Sequence, residues 1–386
     1  MDLRKGLTFL STTFFKCNVF IDMPKFATTI FLATISINSF AQKSVLSIEK
    51  LGLKSLQAQV SYISAKSFNS LTYTGSDSVS FYGKRIASVR GFYISKTEVT
   101  NMEYREFAHY VRDSIAHSLL QHFAGGNAID WNQKIDWKDD RLDSMMVSPD
   151  DRIYGRKDID AEKIIFQIDF FGQKETISIY PDTLVWIWDF SYSYNEPLAK
   201  RYFAHPAYNN YPVVGISQKQ AMAFCQWKTA QINQSLKNKN AEVVVRLPSN
   251  AEWESAAFEE KDTINLLTGG KAYRYNFGEI TDGNGITVKG YKDDGHFYTS
   301  PVKSFPPGSY GLYDMKGNVN EWTSTNQEEI INAQTRMEKL RSSFVVKGGG
   351  WNSSPFYLQA GVCQFFPVDA AHSFIGFRYV VNVVKK

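Results

Sequence analysis

Gly311-Leu-Tyr-Asp-Met-Lys-Gly-Asn-Val-Asn-Glu-Trp-Thr323 sets two carboxylates, Asp314 and Glu321, on either side of a tight Gly317-Asn318 turn. The carbonyls of such a turn point inward, so Asp314, Gly317, Val319 and Glu321 together offer hard oxygen ligands of the kind calcium takes. Asp and Asn also make side-chain-to-backbone turns with no ion present, and the residues alone leave both readings open. The stretch follows a Gly- and Asp-rich region running from Ala257 to Tyr310 with few periodic runs. An irregular region that long inside a compact domain requires a stabiliser other than apolar burial.

Upstream, short extended segments feed capped helices. Val243 to Pro248 leads to Ser249, which stands three residues before Glu252; Pro212 to Gly215 leads to Ser217 and Gln220; Gly91 to Val99 leads to Thr100 and Glu103. In each pair the hydroxyl and the acid or amide satisfy orphan backbone donors reciprocally. Tyr104, Phe107, Ala108, Val111, Ile115 and Leu119 then draw one apolar helix face. Between the first two helices, residues 121–210 form a long insert with its own strands: Lys163 to Tyr180 alternates around a Phe171-Gly172 turn. The insert is too rich in Trp, Tyr and Ile for a solvated linker. Trp186, Trp188, Tyr192 and Tyr194 suit a partner-contact surface and suit core filling equally well. Downstream, Gly348-Gly349-Gly350 precedes Trp351 and opens no helix carrying Lys and Ser or Thr, which excludes a phosphate loop and points to close backbone packing.

With 43% hydrophobic and 21% charged residues the 386-residue chain is an ordinary globular composition. Its net charge of +4 falls to +2 when residues 1–41 are set aside, so no nucleic-acid partner follows. Residues 1–41 read as a signal peptide whose true start is Met23: a positive start, a short apolar run, then small residues Ser39 and Ala41. The first mature residue is then Gln42, which accepts no lipid. Residues 42–85 read as an N-terminal lead and 86–386 as the main domain. Cys225 and Cys363, the cysteines that remain, read as two buried thiols. The six histidines show no metal-ligand pairing, Ser353 has no histidine partner arguable from sequence, and neither a Gly-x-Ser-x-Gly elbow nor a zinc-type cysteine cluster occurs.

Arg246-Leu-Pro-Ser-Asn-Ala-Glu-Trp-Glu-Ser-Ala-Ala257, the Gly311 to Thr323 stretch, and Lys347-Gly-Gly-Gly-Trp351 with Gly376-Phe-Arg378 occur in one order and resemble the formylglycine-generating (sulfatase-modifying) enzyme family. The resemblance implies an α+β, loop-rich fold of C-type-lectin-like topology. It also implies structural calcium at Asp314, Gly317, Val319 and Glu321, and a second site from Asp294 and the His296 carbonyl with Asn284 and the Gly285 carbonyl. The family's copper-binding catalytic cysteine pair falls on Ser353 and Leu358, neither of which is a thiolate, so no catalytic residue and no copper are expected. Cys363 falls where some members carry a third, non-catalytic cysteine.

Within that family the chain looks most like the GldK/PorK group, with GldJ as a relative, of gliding motility and type IX secretion. The residues that carry this are Lys96-Thr-Glu-Val-Thr-Asn101, Glu103-Tyr-Arg-Glu-Phe107, Tyr110-Val-Arg-Asp-Ser-Ile-Ala116, Tyr180-Pro-Asp-Thr-Leu184, Tyr192-Ser-Tyr-Asn-Glu-Pro197, His205-Pro-Ala-Tyr208 and Tyr211-Pro-Val-Val-Gly215. It implies a non-catalytic periplasmic scaffold that joins a GldN/PorN-like ring protein and other secretion components in a ring oligomer. The group's members are lipoproteins; without a lipid-accepting cysteine this chain would reach the outer membrane through partners. The rivals are a divergent enzyme of the same fold and a lectin-like glycan or peptidoglycan binder.

Overall fold

The structure, a computed structural model, describes residues 47–74, 81–189, 194–238, 240–258, 266–268, 272–281, 285–331 and 343–385. The leader read at 1–41, Tyr192 and Asn284 lie outside these residues.

The chain falls into two compact units, Asp113–Ser144 belonging to one and Phe40–Arg112 with Met145–Lys386 to the other. In the larger unit the strands of the two main sheets and of one hairpin are β1 (Val60–Ile63), β2 (Lys66–Thr74), β3 (Phe81–Val89), β4 (Phe92–Ser95), β5 (Ile165–Phe170), β6 (Gln173–Ser178), β7 (Ala241–Arg246), β8 (Asn320–Asn326), β9 (Ser343–Lys347), β10 (Val362–Pro367), β11 (Ile375–Gly376) and β12 (Val380–Lys385), besides short two- and three-residue strands between residues 267 and 289. One sheet has the order β1-β4-β12-β7 and is antiparallel throughout. A second has the order β11-β8-β9-β10-β2-β3, with parallel pairs β8–β11 and β10–β2. Residues 60–74 and 81–89, within or beside the segment read as a lead, therefore supply strands to both sheets; β1 pairs with β4, and β2 with β10. β5 and β6 form the hairpin read around Phe171-Gly172, with both turn residues at positive φ.

The helices are α1 (Asn101–Leu119), α2 (Gln218–Ser235) and α3 (Asn250–Ala257), besides shorter ones. All three capping boxes form. Ser217 and Ser249 each accept the backbone N–H of Gln220 and Glu252, whose side chains accept in return. Thr100 and Glu103 do the same. The apolar face of α1 meets α2: Tyr104 stacks on Phe224 at 5.8 Å, and Phe107 meets Phe224 edge to face. From α3, fully buried Trp253 joins Ile63, Phe92, Ile94, Met315 and Val380 in one apolar cluster. Each such large side chain removed from water contributes about 1.5–3 kcal/mol.

In the smaller unit α1 ends and the chain reverses at Gln121, which takes a left-handed conformation. Phe123 and Ile129 form a bridge, and His117 and His122 bring their Nδ1 atoms to 3.0 Å beside the edge of Trp131. The insert read at 121–210 is thus divided, its first part lying in this unit and residues 145–210 in the larger one.

Candidate functional site

The sequence stretches that stood out separately converge on one carboxylate. Glu321, on β8, is fully buried and accepts Trp253 Nε1 at 2.6 Å, Arg378 Nε at 2.6 Å and Arg378 Nη2 at 2.7 Å. The remaining guanidinium bonds go to the carbonyls of Ser95 and Tyr313. Trp253 comes from the stretch ending at Ala257, Glu321 from the Gly311 to Thr323 stretch and Arg378 from Gly376-Phe-Arg378. A bidentate Arg–carboxylate fork fixes direction as well as charge, and this one ties α3, β8 and the C-terminal segment together.

The triple glycine seats the next segment. Gly348 and Gly349 take positive φ, and a Cβ on them would press against Met315 O and Trp253, or against Tyr357 and Leu358. Lys347, just before them, is fully buried and donates to Glu254 Oε1 at 3.1 Å. Glu254 also accepts Asn250 Nδ2 and Ser70 Oγ, and Cys363 Sγ lies 3.5 Å from Lys347 Nζ and 3.4 Å from Asn250 Oδ1. Burial pushes the Cys363 thiol up, with Lys347 acting against it, so the sulfur stays a thiol at neutral pH. Cys225 and Cys363 are both free and buried, as read.

Ser353 and Leu358, on which the resemblance placed the cysteine pair, are both enclosed. Ser353 Oγ accepts the Gly350 N–H at 2.8 Å, its own N–H donates to Gly350 O, and its carbonyl accepts the Gly278 N–H. Leu358 is fully buried and packs near Gly349. This arrangement offers a hydroxyl committed to a turn and a hydrocarbon, with no thiolate at either position.

Of the four aromatics singled out in the insert, the structure separates those it describes. Trp186 is 2% exposed and lies in a cluster with Tyr202, Val319 and Trp351, its ring parallel to Trp351 at 6.4 Å and edge-on to Tyr298 at 5.6 Å. It fills the core and presents no surface, which corrects its reading as a partner contact. Trp188 is 70% exposed and Tyr194 88%, the latter at φ 54. Behind them, Asn195 accepts Tyr298 Oη at 2.7 Å, and Asp189 holds His372 Nδ1 at 2.8 Å and the Ser373 N–H.

The two cation readings fare differently. Near the first, Asp314 Oδ2 accepts the Lys303 N–H while its buried Oδ1 has no partner; fully buried Glu98 likewise has an orphaned Oε2, its Oε1 accepting Asn318 Nδ2. Burial, then the Asp314 charge, pushes the Glu98 carboxyl well above the usual carboxylate range, and burial pushes Asp314 up to about 6. These orphaned oxygens, on Asp314 and Glu98, fit a cation; Gly317 and Val319 are the further ligands that the resemblance implies. Glu321, read as a fourth ligand, already accepts three hydrogen bonds from Arg378 and Trp253, two on Oε2 and one on Oε1. At the second, Gly285 is exposed, Asp294 is paired with Lys289, and His296 meets Asp294 through its N–H. No cluster of three or more His, Cys, Asp or Glu side chains poised for a metal occurs among the described residues. Glu98 and Lys289 were missed in the sequence. Nothing in Lys96-Thr-Glu-Val or Thr287-Val-Lys-Gly290 marks a buried charge.

Comparison with known proteins agrees with this frame. Residues 71–383 match the family described as the sulfatase-modifying factor enzyme 1-like domain. A formylglycine-generating enzyme of Thermomonospora curvata is 30% identical over 187 residues, 44% of this chain and 55% of that protein. An inactive C-alpha-formylglycine-generating enzyme 2 of Bos taurus is 35% identical over 149 residues, 36% of this chain and 38% of that protein. The chain thus spans about half the length, or less, of these curated relatives. PvdO from Pseudomonas aeruginosa, a solved structure, aligns over 84% of this chain and 94% of its own with 20% identity and a TM-score of 0.46. The chain belongs to the sulfatase-modifying factor family and has its loop-rich α+β fold, in a family whose relatives include both active and inactive formylglycine-generating proteins.

Proposed function

We propose that this protein is a non-catalytic member of its family that works as a periplasmic scaffold through protein contacts. The observation that carries the reading is the enclosure of Ser353 and Leu358: one side chain is committed to a turn hydroxyl bond and the other is buried hydrocarbon. Copper chemistry of the family's kind needs soft thiolate ligands, and neither residue supplies one. Calcium bound near Asp314 would serve the loops and no reaction.

At finer grain, the motifs from Lys96 to Gly215 support a GldK/PorK-like role in type IX secretion or gliding motility, alongside a GldN/PorN-like ring protein. Peripheral association with the outer membrane through partners follows from that reading. Exposed Trp188 and Tyr194 are the contact residues this proposal selects, since large exposed aromatics are where interface energy concentrates.

Two experiments bear on it. Purified protein incubated with copper, oxygen, a thiol reductant and a cysteine-containing sulfatase-motif peptide should leave the cysteine unchanged by mass spectrometry; formylglycine formation overturns the non-catalytic reading. Affinity purification from detergent-solubilised envelopes should recover a GldN/PorN-like protein. The W188A/Y194A variant should lower that recovery about tenfold or more at an unchanged melting temperature. A partner-free monomer overturns the scaffold reading.

A further inference from the structure

Lys289 is a buried cation at the place where the family resemblance implies a second metal. It closes the short strand Thr287–Lys289, and its side chain is fully buried, as is that of Asp294. Its Nζ lies 2.9 Å from Asp294 Oδ2, 2.8 Å from Phe277 O and 3.1 Å from Gly290 O. An ammonium has three N–H donors, and here three oxygens receive them. The rings of Phe277 and Tyr273 stand 4.4 and 5.3 Å from the nitrogen and complete its surroundings with π faces. Asp294 is equally occupied: Oδ2 also accepts the Phe277 N–H at 3.2 Å, and Oδ1 accepts the His296 N–H at 3.1 Å. Neighbouring Asp293 turns the other way and accepts the Gly290 N–H.

We propose that the Lys289 ammonium is the resident cation of the loop between Tyr273 and His296, and that this second site takes no divalent ion. Calcium requires six to eight oxygens at about 2.3–2.6 Å. Here a carboxylate and two carbonyls already surround a nitrogen carried by the chain itself. One positive and one negative charge balance, so the pocket has no residual demand for an ion. Of the other residues read as ligands, Gly285 is exposed, with open space where a side chain would project.

Equilibrium dialysis against radioactive calcium, counting ions bound per chain in the purified protein, tests this. Asp294→Asn should bind as many ions as wild type, because Asp294 holds none; a loss of one ion per chain overturns the proposal. Lys289→Ala should gain one ion, because the vacated ammonium leaves a carboxylate and two carbonyls facing a water-filled space. A folded Lys289→Ala chain, checked by circular dichroism, that gains none also overturns it. Where Lys289→Ala does not fold without calcium, folding on calcium addition counts as the gain, and the Asp294→Asn count decides independently.

Discussion

Arg378 and Lys289 are both fully buried cations, and they keep opposite electrostatic company. Arg378 stands among three carboxyl groups, those of Glu321, Glu98 and Asp314, and can fork only one of them. Glu98 and Asp314 each keep one oxygen that no other group satisfies, and within the chain only a proton held between the two carboxyls would serve them. Lys289 faces one carboxylate and two carbonyls and leaves nothing over. Burial is alike in the two places, so burial does not set them apart. The balance of fixed charge does, because each uncompensated buried charge costs several kcal/mol while a fully bonded pair costs much less.

The largest expected effect breaks the acid-rich centre directly. Arg378→Met strands Glu321 beside two further carboxyls, and should cost about 3–5 kcal/mol in urea unfolding. Arg378→Lys keeps the charge but loses the fork, and should fall between wild type and the methionine variant. A loss below about 1 kcal/mol for Arg378→Met would mean that the centre is already neutral by protonation and that the contrast with Lys289 is not one of charge.

How much of this was legible in the sequence depends on distance along the chain. The capping boxes at Thr100, Ser217 and Ser249 were readable because both partners lie within three residues. The glycine run before Trp351 was readable as close packing because glycine is what such packing requires. The hub at Glu321 was visible only as separate motifs, since Trp253 and Arg378 lie 68 and 57 residues away. Trp186 and Trp188 were indistinguishable on composition. The short helix Val185–Trp188 turns them about 200° apart, which buries one and exposes the other, and four residues are too few to reveal that phase beforehand. Lys289 escaped notice because two of its three acceptors are backbone carbonyls, which every sequence contains. The partner of Asp294 in charge was hidden for the same reason: Lys289 sits five positions upstream, at the end of a three-residue strand whose sequence marks nothing.

A smaller effect sharpens the comparison by pH. Burial raises Asp314 from its ordinary 3.8 to about 6, so the folded protein favours the protonated carboxyl. The sign follows: the carboxyl costs nothing below about pH 4, costs progressively more as pH rises toward 6, and holds that cost above. In chelator at pH 7, Asp314→Asn should therefore be more stable than wild type by about 1–3 kcal/mol, with the difference vanishing below about pH 4. Saturating calcium should stabilise wild type and narrow the gap. Thermal melts across pH, with and without calcium, check both arms; an Asp314→Asn variant less stable than wild type at pH 7 would remove the acid excess from the comparison.

The smallest effect extends the scale to a pair that water reaches. Arg246 is over a third exposed on its side chain and forks Glu252 at 2.6 and 2.7 Å, while Glu252 also caps Ser249. Burial works against the Glu252 carboxylate, but Arg246 outweighs it and holds the group below the usual range. A depressed folded pKa gives stability that is present above the unfolded value and lost as pH falls through the folded one. Glu252→Gln retains the reciprocal cap, because glutamine serves at that position, so the substitution isolates the ion pair. It should cost about 0.5–1 kcal/mol at pH 7, less in high salt, and nothing once the carboxylate is protonated in acid. Solvent screening makes this pair a weak contributor despite a fork as short as that at Arg378. Should Glu252→Gln instead cost as much as Arg378→Met, fork geometry would outrank charge balance, and Lys289 and Arg378 would differ only in the number of bonds they make.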